Sequence, residues 1–120
     1  MKDLSSLNEI LKRIAARKKL LQGSLDSLVI QLRDIGAIKI VLFGSFARDE
    51  VDINSDIDLF VIMPPNRSGR EWTNLIYEKI ERKTSSDIIV FNLNEYKKEV
   101  SSNLFLSNIE KTGVILYEKA

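Results

Sequence analysis

Residues 38–63 read IKIVLFGSFARDEVDINSDIDLFVIM, an apolar run, a Gly-Ser pair, a polar connector and a second apolar run interrupted by two aspartates. Successive side chains on a strand point to opposite faces, so Asp56 and Asp58 share one face while Ile57 and Leu59 share the other. Two carboxylates side by side raise each other's pKa unless protons or cations offset the repulsion. A divalent cation is the natural partner, and hard oxygen ligands suit Mg2+, which is commonly held by one or two carboxylates plus the phosphates of a substrate. Gly44, lacking a Cβ, lets the chain turn sharply and bring backbone N–H groups close to an anion. Ser45 adds a hydroxyl and is expected to open a short helix, whose N-terminus favours phosphate. The stretch therefore reads as a phosphate-and-metal site.

Composition narrows what such a site can be. A chain of 120 residues makes one domain, long enough to bury about 65% of its unfolded surface without staples. It has no Cys and no His, so disulfides, thiolate sites and the commonest general base are unavailable. Catalysis must run on carboxylates, hydroxyls, cations and metal. The start, Met1-Lys2-Asp3, leads into polar and charged residues, and no apolar run reaches membrane-spanning length, so the expectation is a soluble, cytoplasmic protein. A net charge of +1 argues against a general nucleic-acid binder. The charges are segregated, however. Residues 1–36 carry seven Lys or Arg against four acids, whereas residues 44–62 carry Asp49, Glu50, Asp52, Asp56 and Asp58 against Arg48 alone. Asp49, Glu50 and Asp52 read as a solvated loop.

Upstream, Leu4, Leu7, Leu11, Ile14, Leu21, Leu25, Leu28, Leu32 and Ile35 recur at alternating steps of three and four, with Lys18 in the one polar gap. Gly23-Ser24 suits a helix stop and restart, so two helices or one kinked helix are expected, divided into an N-terminal helical extension (1–23) and the domain proper (24–120). The second helix should pack on the sheet. The first either covers the domain or serves self-association or partner docking.

Downstream of Gly36, Ile38–Phe43 is predicted as a central strand, Ser45–Arg48 as a helical turn and Asp56–Met63 as a second strand stopped by Pro64-Pro65. Arg48 lies one helical turn from Ser45 and could reach phosphate or pair with a local acid. Arg70–Lys83 reads as a crossover helix; Trp72 and Tyr77 at helical spacing point to core more than to base stacking. Ser85–Phe91 is a third strand whose Asp87, taken alone, would be a solvent-facing strand end. Asn94 is a candidate cap for one or two further helices, Gly113 ends them, and Val114–Tyr117 supplies a last strand.

LFGSFARDE followed by SDIDLFV resembles the signature of the nucleotidyltransferases of the DNA polymerase beta superfamily, most closely its minimal single-domain members, and the likeness covers nearly the whole chain after Ile35. It implies an α+β fold, a small mixed sheet with helices packed on it. It makes Asp87 the third carboxylate beside Asp56 and Asp58, the three serving as catalytic groups and ligands to Mg2+, expected as a pair of ions. Gly44, Ser45 and Arg48 become the nucleotide-phosphate contacts, with ATP as substrate and AMP as the group moved. Such proteins are commonly paired with a small helical HEPN-type toxin, which they neutralise by binding it or by modifying its tyrosine. An antibiotic-type enzyme acting on a small hydroxyl compound and a non-catalytic module that masks its partner are the alternatives. The chain departs from these relatives in carrying Asp49 where Gly usually follows the arginine.

Overall fold

The computed structural model describes residues 4–120, and the side chains from residue 6 onward; Met1–Asp3 and the side chain of Leu4 in the seam lie outside the described residues. The chain order is α1 (Leu4–Ile35), β1 (Lys39–Phe43), α2 (Gly44–Ala47), β2 (Ile57–Met63), α3 (Gly69–Lys79), β3 (Ser86–Asn92), α4 (Leu93–Glu99), α5 (Leu104–Thr112) and β4 (Val114–Glu118). The four strands form one mixed sheet in the order β3-β2-β1-β4. β1 is internal and antiparallel to both β2 and β4. β2 and β3 are parallel and joined through α3, the crossover such a pair requires.

Alternation along the strands sorts the core into two layers. Ile40, Leu42, Ile57, Leu59, Val61, Met63, Ile88 and Val90 point to the face covered by α1 and α3, where Leu21, Leu25, Leu28, Leu32, Trp72 and Ile76 meet them. Val41, Phe60 and Ile62 point to the other face and pack against Leu106 and Ile109 of α5, with Tyr96 of α4 beside them. β2 is buried along both faces, which is why its sequence is continuously apolar after Asp58.

The Gly23-Ser24 stop does not occur: α1 is one helix of 32 residues running through that point. Leu21 and Leu25 are both buried on the same seam, so the helical register must persist across Gly23 to keep them there. That burial outweighs the roughly 1 kcal/mol helix cost of glycine. Ser24 caps nothing; its hydroxyl is buried and accepts from Thr84 Oγ1 at 3.0 Å. The helix ends at Gly36 (φ 117°), where Ala37 N–H bonds Leu32 O and Gly36 N–H bonds Arg33 O, each at 3.0 Å, the six-to-one and five-to-two pattern of a Schellman stop. The seam is buried only in its second half. Leu7, Ile10 and Leu11 of the first half are about half exposed.

Two other details differ from expectation. Asn92, not Asn94, caps α4, and Glu95 returns the bond in a capping box. Trp72 is buried with its indole N–H on Pro64 O at 2.8 Å, whereas Tyr77 is exposed, its hydroxyl accepting from Ile88 N–H at 2.9 Å and its ring under the Arg82 guanidinium.

The asymmetry of α1 is measurable. Leu28→Ala, which empties a fully buried position, should cost about 2–5 kcal/mol in urea unfolding. Leu11→Ala on the exposed half should stay within about 0.5 kcal/mol.

Candidate active site

Parallel pairing in register sets Asp58 of β2 directly beside Asp87 of β3, on the same sheet face. Asp56 precedes the first residue of β2, and the end of β1 comes alongside through the Phe43–Asp58 pair. Asp56 and Asp87 line one polar cleft of about 570 Å3, completed by Tyr77, Arg82 and Ser86. The hydroxyl of Ser86 is buried and has no hydrogen-bond partner.

Gly44 closes the other side. Its φ is 78°, in the left-handed region, and a Cβ built there would lie 2.2 Å from Asp58 Oδ2. Glycine is thus required both by the turn and by the carboxylate pressed against it. α2 begins at Gly44, one residue earlier than expected, and its N-cap Phe43 offers no side-chain hydrogen bond to the first turn. Ser45 is the second residue of that turn rather than its cap.

Burial first, then the charges of Asp87 and Asp56, push the Asp58 carboxyl up from its ordinary 3.8, while Arg48 pulls it down. Among the described residues no three acidic side chains stand close enough to enclose a cation by themselves. The donors nevertheless fit a hard divalent ion: all are oxygens, and the glycine cradle keeps Asp58 Oδ2 clear of any Cβ. Such an ion would take a subset of the carboxylates and complete its shell with phosphate and water, the usual pattern for Mg2+.

The remaining loop acids have local duties. Asp49 bonds Lys18 Nζ at 2.5 Å, and it takes up φ 56°, the conformation that a glycine would adopt without cost. Asp52 Oδ1 accepts from Asn54 N–H at 2.8 Å, making a side-chain-closed turn. Arg48 donates to Glu50 Oε2 at 3.0 Å, the local pairing that the sequence left open beside a phosphate role.

One residue here was not singled out from sequence. Arg17, on α1, donates from Nε and Nη2 to Ser55 O at 2.9 and 2.8 Å, and from Nη2 to Asp56 Oδ1 at 3.3 Å. Its nearest sequence signal was the neighbouring Lys18, the one polar gap in the seam, which bonds Asp49 in the acidic loop.

A family model described as "Nucleotidyltransferase domain" matches residues 25–116, and the chain belongs to that family. A solved structure of a presumed nucleotidyltransferase from Sulfolobus solfataricus shares the fold, with a TM-score of 0.53 at 16% identity, covering 92% of this chain and 87% of the other. No curated protein matches. No helix among the described residues is long and apolar enough to cross a membrane.

Two substitutions probe the geometry. Gly44→Ala should displace Asp58 and lower the melting temperature by several degrees, since both φ and space are wrong for a side chain. Asp58→Asn should do the opposite in metal-free buffer. A carboxyl whose folded pKa is raised stabilises the fold while protonated, and that contribution is lost as pH rises through the folded value. At pH 7 the Asn variant should therefore melt above the native protein, with the gap closing as pH falls toward 3.8.

Proposed function

We propose that this protein transfers AMP from ATP to a hydroxyl acceptor, that the acceptor is a tyrosine of a small helical partner of the HEPN type, and that it acts in the cytoplasm as that partner's antitoxin. The observation that carries the transferase reading is the pairing of Asp58 with Asp87 next to Asp56, with Gly44 folded against Asp58. The choice of AMP, tyrosine and partner rests on the resemblance to the minimal nucleotidyltransferases.

Asp56 and Asp58 would hold one Mg2+, and Asp87 with Asp58 a second. Bound there, the ions would neutralise the triphosphate and lower the cost of ionising the acceptor hydroxyl. The Gly44-Ser45 turn orients the phosphates, and Arg48 is free to exchange Glu50, an exposed partner, for a phosphate oxygen. Asp87 faces the acceptor and aims its oxygen at the α-phosphorus. The new P–O bond forms as the bond to the pyrophosphate oxygen breaks, in line, and the acceptor hydroxyl gives up its proton to solvent water. Two carboxylates that repel each other in the free protein are worth more once cations and phosphates are in place, so the site favours the loaded state electrostatically. No step calls for imidazole or thiol, in keeping with a chain that has neither.

Incubation with α-labelled ATP, Mg2+ and the candidate helical protein should label the partner. Asp56→Asn combined with Asp58→Asn should reduce that transfer at least about 100-fold, the scale on which a misplaced reacting group acts. Label on a small hydroxyl compound alone would reassign the acceptor. A tight complex without transfer, indifferent to the double substitution, would leave only a masking module.

A further inference from the structure

We infer that the N-terminal helix is part of the active site, and that Arg17 is a positioning residue that sets the orientation of Asp56 for the divalent cation. This rests on the carboxylate reading of the site given above. It goes beyond the family domain, whose matched residues begin at 25 and leave Arg17 outside.

The contacts are specific. One guanidinium grips two consecutive residues, the Ser55 carbonyl through Nε and Nη2 and the Asp56 carboxylate through Nη2. Arg17 comes from a sequence distance of 38 to 39 residues, so the pairing is tertiary and depends on the docking of α1. Its side chain is largely covered, at 23% exposure, whereas the side chain of Asp56 is 48% exposed. An exposed carboxylate at a strand entrance would rotate freely about χ1 and χ2. Arg17 restricts that freedom, holding the preceding carbonyl firmly and Oδ1 through a longer 3.3 Å bond, and leaves Oδ2 for a cation. Hydrogen-bonded partners hold ligating carboxylates in place, and losing one typically weakens metal binding; here the positioning has to outweigh the repulsion between the guanidinium and a bound cation. Lys18 on Asp49 adds a second tie between the same helix turn and the loop that follows α2.

The reason α1 is where it is follows from the core. Leu21, Leu25, Leu28 and Leu32 seat the helix on the sheet, and the next turn toward the N-terminus then falls over the acidic connector. A hydrophobic seam at that point would face carboxylates. Lys18 replaces it with a cation there, with Arg17 beside it, and the apolar seam resumes at Ile14 and Leu11.

The test uses the full chain with Mn2+ as probe, free Mn2+ being followed by electron paramagnetic resonance, alongside transfer from labelled ATP. Arg17→Gln should weaken Mn2+ binding about 10- to 100-fold and raise the Mg2+ concentration needed for half-maximal transfer by a similar factor, excess Mg2+ restoring the rate. Arg17→Lys, which keeps the charge but not the fork, should fall between the two. On an Asp56→Asn background, Arg17→Gln should change Mn2+ binding by less than about twofold, because the group it orients is gone. Lys12→Ala, on the exposed part of the same helix, serves as the control. Unchanged or tighter Mn2+ binding in Arg17→Gln, or an undiminished loss on the Asp56→Asn background, overturns the inference. Should Arg17→Gln fail to fold, the Arg17→Lys variant and its Asp56→Asn double carry the same comparison. A native protein that binds no Mn2+ and moves no label overturns the transferase reading itself, and is thereby distinguished from a functioning site that ignores Arg17.

Discussion

The structure depends on holding like charges together. Asp58 and Asp87 are neighbours because two parallel strands pair in one register, and that register is fixed by what lies further along them. Leu59, Val61 and Met63 on one face, and Phe60 and Ile62 on the other, are buried. A slip of one residue would turn every one of these to the wrong face. The apolar burial of β2 and β3 is thus the force that opposes carboxylate repulsion, and the Asp58 pKa is raised by that burial first and by the charges of Asp87 and Asp56 after it. Helix α3 makes the parallel pairing possible and the α1 seam covers its face. The site is therefore a local electrostatic liability sustained by distant packing.

Much of this was legible in the sequence, because its signals are short-range. The Gly-Ser turn, the alternating aspartates and the Pro64-Pro65 stop each act within a few residues, and the structure places a glycine turn, a strand entrance and a strand end there. Asp87 was different. Its own strand made it look like a solvent-facing terminus, and only the family resemblance set it beside Asp58, since strand pairing across an intervening helix has no local signature. Gly23 failed for the opposite reason: a strong local signal was overruled by the burial of Leu21 and Leu25 on either side of it. Asn94 lost to Asn92 because the cap is decided by which residue has Glu three positions on, and Glu95 serves Asn92.

Arg17 was invisible for a related cause. A cation on a helix reads as a solvated charge until the fold shows what it faces. The charge segregation between residues 1–36 and 44–62 was the observable shadow of that contact. Likewise Asp49 looked like a departure from its relatives, yet it occupies the left-handed conformation where glycine would be at ease, and it gains Lys18 in exchange. Aspartate tolerates that region better than most residues.

Glu95 ties the far end of the sheet. Its carboxylate accepts from Asn92 N–H at the start of α4 and from Gly69 N–H at the start of α3, so one acid clasps two helix entrances that belong to opposite layers. The C-terminal ends of β2 and β3 are thereby cross-braced, while their other ends, which carry the aspartates, open onto a cleft and an exposed connector. The two ends of the parallel pair thus differ in construction: one is tied by a shared carboxylate across both layers, while the other carries its carboxylates at an open cleft.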